Sequence, residues 1–157
     1  MMFSDYQSTL PIAAVYLRPA TLADAEAVYA WNFAPDVRAY SRTHAVPSPA
    51  EHAAWFAGRL RDAWSPIWIV EDRFMAVGVV RIDQISGVGR ISIALAADAR
   101  GRGVGRQAIS SACTLWRRDV VAEIANDNAA SRHCFEAAGF RAVERDGDVT
   151  IYQRKGT

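Results

Sequence analysis

Arg100-Gly101-Arg102-Gly103-Val104-Gly105-Arg106 is the stretch on which the fold turns. It follows Arg90–Ala96, which reads as a strand, and opens Gly103–Trp116, which reads as a helix. Its glycines let backbone amides approach a ligand closely. The free amides and positive dipole end of the helix favour an anion. Arg100, Arg102 and Arg106 add charge to the same corner, so a pyrophosphate is the natural guest. The stretch lacks the full GxGxxG dinucleotide fingerprint, and no Walker lysine follows it. The competing reading is a glycine-rich turn with solvated arginines.

Working outward, Ala13–Leu17 reads as a first strand ended by Arg18-Pro19. Thr21 and Asp24 form a capping-box pair for a helix running to about Trp31. Asn32–Pro47 has no sustained period beyond a helical trace at Asp36–Ser41. Ser48, Pro49 and Glu51 start a second helix that carries His52, Trp55, Phe56 and Leu60 at helical spacing. Ile67–Val70 and Phe74–Ile82 read as a hairpin turning at Glu71-Asp72-Arg73, and Gly87-Val88-Gly89 turns into Arg90–Ala96. Beyond the central helix come a buried strand, Val120–Ile124, a helix, Asn128–Ala138, capped by Gly139, and a closing hairpin, Arg141–Glu144 with Val149–Arg154. This order predicts an α/β fold: a mixed, mostly antiparallel central sheet with one parallel crossover and helices on both faces. Residues 1–12 are expected to be a loose tail before a single domain over 13–157.

Arg100, Gly103 and Gly105 fill the pattern Gln/Arg-x-x-Gly-x-Gly/Ala. Asn128, Ser131, Phe135 and Gly139-Phe140 fill a second, Asn-x-x-Ala/Ser-x-x-x-Tyr/Phe-x-x-x-Gly-Phe. With both blocks in this strand–loop–helix setting, the chain from Val15 onward resembles the GNAT superfamily of N-acetyltransferases. The resemblance implies acetyl-CoA held in a V-shaped cleft between the strands Arg90–Ala96 and Val120–Ile124. It implies pantetheine pairing near Leu95 and Ala96, the pyrophosphate on Arg100, Gly101, Arg102, Gly103, Val104, Gly105 and Arg106, and further cofactor contacts from Asn128, Ser131, Arg132 and Phe135. The implied reaction is direct attack of a primary amine on the thioester, with no covalent enzyme intermediate and no metal.

Many relatives protonate the departing thiolate with a tyrosine where this chain has Phe135, which has no proton to give. Ser131, one helical turn earlier on the same face, is the expected substitute; Cys134 is rotated away by about 100°, and Tyr40 is a further candidate. A thiol with a pKa near 8.5 also leaves tolerably without an acid. For the base, Glu123 stands out as a carboxylate in an apolar strand, pointing opposite to Ala122 and Ile124. His52 is the second candidate.

The acceptor side is expected from the first two helices and their connection: Trp31, Arg38, Tyr40, Ser41 and His52, with Arg81 from the sheet. This region resembles the enzymes that acetylate a UDP-linked 4-amino sugar in pseudaminic-acid biosynthesis. Arg38 or Arg81 would meet its phosphates, and Trp31, Tyr40, Trp55 and Phe56 would give apolar platforms. Elements of it are shared with ribosomal-protein N-terminal acetyltransferases, so a protein N-terminus or another small amine stays open as acceptor. A non-catalytic acetyl-CoA-binding module stays open because of Phe135.

The net charge of +1 disfavours a nucleic-acid partner. No apolar run approaches the roughly 20 residues that span a membrane, and the first ten residues lack a signal-peptide pattern, so a cytoplasmic location is expected. Cys113 and Cys134 are expected to be free thiols, and neither they nor His44, His52 and His133 have metal-ligand spacing. A homodimer fits the resemblance, although no segment marks an interface.

Overall fold

The computed structural model of the chain describes residues 15–157. Seven strands form one sheet in the order β1-β2-β3-β4-β5-β7-β6. They are β1 (Val15–Pro19), β2 (Ile67–Asp72), β3 (Met75–Ile85), β4 (Val88–Leu95), β5 (Val120–Ala125), β6 (Arg141–Asp146) and β7 (Val149–Arg154). All neighbours pair antiparallel except β4 and β5, the one parallel pair. The connection between them carries α4 (Val104–Trp116); the other helices are α1 (Ala25–Asn32), α2 (Pro35–Arg38), α3 (Pro49–Arg59) and α5 (Ala129–Ala137).

Strand alternation sorts the core onto two faces. Val80, Ile82, Ile91, Val120, Ala122 and Ile124 pack with Ala108, Ile109 and Ala112 of α4 and Phe135 of α5. Val79, Ala94, Ile67 and Ile69 pack on the opposite face with Val28 of α1 and Phe56 of α3. Phe56 is fully buried, and emptying such a site costs about 3–5 kcal/mol. The expected mixed sheet with helices on both faces is therefore the observed one.

Several boundaries move, each for a local reason. The β2–β3 turn lies at Arg73-Phe74, both with positive φ (51° and 68°), so β2 reaches Asp72 and β3 begins at Met75. Two positive-φ residues match a hairpin's twist, but Arg-Phe carries no glycine or asparagine to announce it. The next turn is Ser86-Gly87, and Val88 and Gly89 already pair with Ile85 and Gln84. β1 extends through Pro19, opposite Trp68; an edge strand tolerates proline. The first helix opens as a 3-10 turn, Leu22–Asp24, where Asp24 accepts the Thr21 N–H at 2.8 Å and both terminal nitrogens of Arg18. The helical trace expected at Asp36–Ser41 is the single turn α2, set earlier by Pro35. α3 starts as expected, with the Glu51 N–H donating to Ser48 Oγ at 3.1 Å. Ala13, Ala14 and the expected 1–12 tail lie outside the described residues. Cys113 and Cys134 are both free.

Candidate functional site

The parallel pair opens a cleft. β4 and β5 share only two register pairs, Gly89 with Val120 and Arg90 with Val121. The strands are eight and six residues long, so the rest of β4's edge, to Leu95, lacks a strand partner on that side among the described residues.

At the mouth of this cleft stands the glycine loop. Gly103 caps α4 with φ +79° and no side-chain cap, and Gly101 has φ +76°. A Cβ at either glycine would meet nothing within 4 Å. The first helical bond is Gln107 N–H to the Gly103 carbonyl at 3.2 Å, so the Val104, Gly105 and Arg106 amides have no acceptor within the helix. Gly105 serves packing: a Cβ there would lie 2.9 Å from Cys134 Sγ. That contact brings α4 against α5. Burial pushes the Cys134 thiol up, against the pull of Arg106. Open glycines, free amides and arginines fit a pyrophosphate.

The three arginines are not equivalent. Arg100 pairs with Asp36 of α2 and donates from Nη2 to the Leu95 carbonyl at 2.9 Å. Arg102 pairs at 3.0 Å with Asp72, a carboxylate only 5% exposed at the end of β2. Arg106 has no ion pair among the described residues. The Ala96 backbone is committed inside the fold, its N–H to Val77 and its carbonyl to Ala99. Asn128 caps α5 by accepting the Ser131 N–H at 3.1 Å. Ser131 is half-buried, and Arg132 Nε is buried with no hydrogen-bond partner among the described residues. Phe135 is core, edge-on to Phe140 at 5.0 Å.

On the α1/α3 face of the same strand lies a cavity of about 590 Å³, walled by Ser92, Ile93 and Ala94 of β4. Arg38, Ser41, His52 and Arg81, four of the residues expected on the acceptor side, line it; Asn32, Phe33, Glu51 and Trp55 line it too. Trp31 instead packs against the core on this face, and Tyr40 is exposed and outside the cavity wall.

His52 sits among Tyr29, Phe33, Trp55 and Phe56, with ring centroids 5.2–5.8 Å away. Its Nε2 is buried with no hydrogen-bond partner among the described residues. Burial first, and the Arg81 charge second, hold its pKa below the ordinary imidazole value. Arg81 is itself pulled down by burial, opposed by Asp83, and its guanidinium lies 5.2 Å from the Trp55 ring centroid.

Glu123 points away from Ala122 and Ile124, which are buried against α4. It is 3.4 Å from Arg42 Nε and 4.0 Å from Arg90 Nη1, and Arg42 also reaches Asp146 at 3.0 Å. Asp83 pairs with Arg59, with Arg81 at 3.5 Å and with Arg90 at 3.7 Å. Sequence reasoning missed Asp83, Arg90 and Arg42. Alternation could have placed Arg81, Asp83, Arg90 and Glu123 on one sheet face; the loop contact of Arg42 left no signal.

Residues 14–141 match the acetyltransferase (GNAT) domain. No curated protein matches the chain. Among solved structures, spermidine N-acetyltransferase from Vibrio cholerae, in complex with CoA and spermine, is 18% identical with a TM-score of 0.80, over 90% of this chain and 95% of that one. The yncA protein of Salmonella typhimurium, with its cofactor acetyl-CoA, is 20% identical with a TM-score of 0.75, over 90% and 93%. RimL, a ribosomal L7/L12 alpha-N-protein acetyltransferase in complex with coenzyme A, is 19% identical with a TM-score of 0.77, over 92% and 96%. No helix among the described residues is long and apolar enough to cross a membrane.

Proposed function

The chain belongs to the GNAT acetyltransferase family, and on that premise we propose that it moves the acetyl group of acetyl-CoA onto a primary amine held in the β4-walled cavity. The observation that carries this is the sharing of β4. Its edge, without a strand partner beyond Arg90 among the described residues, borders the cleft beside the glycine loop, and its Ser92–Ala94 segment walls the cavity. A donor and an acceptor on the two sides of one strand meet without a covalent relay through the enzyme, which is a gain in proximity.

Acetyl-CoA supplies an activated acyl group and a stable thiolate. The loop glycines, the first-turn amides of α4 and Arg106 would hold its pyrophosphate, with Arg100 joining once it leaves Asp36. The amine must be neutral to attack. His52 lines the cavity, burial disfavours its charged form, and its Nε2 has no hydrogen-bond partner among the described residues, so it is the group offered to the amine proton. Nitrogen forms its bond to the acetyl carbon as the C–S bond breaks. Glu123 shares this sheet face but is held by Arg42 and Arg90, which suits it to positioning charge. Ser131 on α5 is the hydroxyl offered to the thiolate.

For the acceptor, the sequence resemblance points to a UDP-linked 4-amino sugar. The cavity volume and the Phe33 and Trp55 walls support this choice. The test is thiol release from acetyl-CoA with that sugar nucleotide, a peptide with a free N-terminus, and an aminoglycoside. Release with the sugar nucleotide alone supports the full reading. Release with another amine keeps the transferase and replaces its acceptor. Coenzyme binding with no release from any amine favours a binding module.

A further inference from the structure

The acceptor's charge can be read from the cavity wall. Arg81 shares Asp83 with Arg59 and Arg90, and its own contact at 3.5 Å is the ion-pair kind only: its buried Nε makes no hydrogen bond among the described residues. Arg38 has no ion pair among the described residues. It donates to Ser41 Oγ at 3.3 Å and to the Ala45 carbonyl at 2.7 Å, and its Nε is buried and unpartnered. Glu51 is the one carboxylate in the wall among the described residues, and it is turned to the start of α3, accepting the Ser48 N–H at 3.4 Å. Two guanidiniums therefore line one cavity, each with a buried Nε that has no hydrogen-bond partner among the described residues, and buried donors left unmade are costly.

Resting on the transferase reading, we infer that the acceptor is an amine that also carries a carboxylate or phosphate group, bound by Arg81 and Arg38. Guanidinium forks match both anions. Arg81 stands opposite Ser92 in the β3–β4 register, and Val79 opposite Ala94 is the next residue on that face. That spacing is about 7 Å, so an anion on Arg81 lies one strand repeat from the Ala94 position of the cavity wall. An anion on Arg81 also relieves the positive charge that His52 feels. A polyamine brings like charge to the same wall and is disfavoured.

The test pairs acceptors that differ in the anion: ethanolamine with O-phosphoethanolamine, β-alaninamide with β-alanine, and the free 4-amino-6-deoxy sugar with its UDP-linked form, beside spermidine. Thiol release gives kcat/KM, and calorimetry on the CoA-loaded protein gives affinity. The anionic partner should win by about ten- to a hundredfold, the scale of one charge-assisted hydrogen bond. Advantage in the β-alanine pair alone assigns a carboxylate; advantage in the phosphate pairs assigns a phosphate. Arg81→Gln should erase the preference through KM without changing CoA affinity, and Arg81→Lys should keep part of it. Arg38→Gln is the second variant if Arg81→Gln misfolds. Equal or better use of neutral amines or spermidine overturns the inference while leaving the transferase intact. Calorimetry in which no anionic amine binds more tightly than its neutral partner overturns it whether or not thiol is released. Absence of thiol release with all of them, beside preferential binding of anionic amines, overturns the transferase reading and keeps the charge assignment.

Discussion

Asp36 on α2 holds Arg100, the first arginine of the glycine loop, in an ion pair. The same guanidinium donates to the Leu95 carbonyl on β4. α2 and the glycine loop are thus tied through one side chain, and a pyrophosphate seated on the loop, as proposed, would compete with Asp36 for it. Arg100 lowers the Asp36 pKa through that hydrogen bond, yet the pair is exposed and such pairs are weak. Asp36→Asn is expected to tighten CoA binding about two- to fivefold, a modest change in keeping with a surface pair, and more at low salt than at high salt. Titration calorimetry at two ionic strengths checks this. Weaker binding would mean that Asp36 aims Arg100 at the coenzyme.

Gly103 gives a sharper test of the loop. Its φ of +79° strains any L side chain, at a cost of about 1–2 kcal/mol, and a Cβ there points into open space. Gly103→Trp should abolish CoA binding while the far-ultraviolet dichroism and a cooperative melt persist. Retained affinity would remove the loop as the pyrophosphate seat. Gly103→Ala should show the strain with only partial loss of binding.

His52 sets the expected pH dependence. Burial and Arg81 depress its pKa, so the folded protein prefers neutral imidazole. The sign follows: this contribution to stability is complete above the unfolded value of about 6.5 and fades as pH falls toward the depressed folded value. The acid limb of kcat/KM should therefore lie below about 6.5. Among the described residues, Arg81 from β3, Arg38 from α2 and Glu51 from α3 are the charged groups in the same wall. His52→Gln should remove that limb and lower kcat more than CoA affinity. An unchanged profile would transfer the base role to Glu123, which Glu123→Gln then tests.

The motif-bearing half was legible because its physics is local. Glycines at fixed offsets, a helix start and an apolar run follow from neighbours in the chain, so the loop, α4, β5 and α5 fall where the spacing puts them. The turns at Arg73-Phe74 and Ser86-Gly87 were displaced because tertiary pairing, not turn residues, sets them. The cavity was half legible. Arg38, Ser41, His52 and Arg81 line it. Trp31 on α1 does not, since an aromatic on a short amphipathic helix serves core or solvent according to a rotation that sequence period leaves loose; Tyr40 does not, because α2 ends at Arg38 and leaves it in a turn. In the network around Asp83, alternation puts Arg81, Asp83 and Arg90 on one sheet face, but Arg59 reaches it from α3, and no local pattern couples a helix to a strand position so far away.

That network makes the last prediction. Asp83 has an 11% exposed side chain facing three guanidiniums, of which Arg59 and Arg81 are themselves mostly covered. Removing the carboxylate leaves like charges crowded beside the cavity. Breaking a buried pair from one side costs about 3–5 kcal/mol; water at Arg90, 41% exposed, argues for the lower end. Asp83→Asn should thus lower Tm by about 6–12 °C in a domain of this size. Because the deficit is one of anionic charge, millimolar phosphate should restore more of the melting temperature in this variant than in the unmodified chain. Calorimetric melts with and without phosphate measure both effects. A loss that phosphate leaves untouched would mean that Asp83 matters through the geometry of its Arg59 bond rather than through its charge.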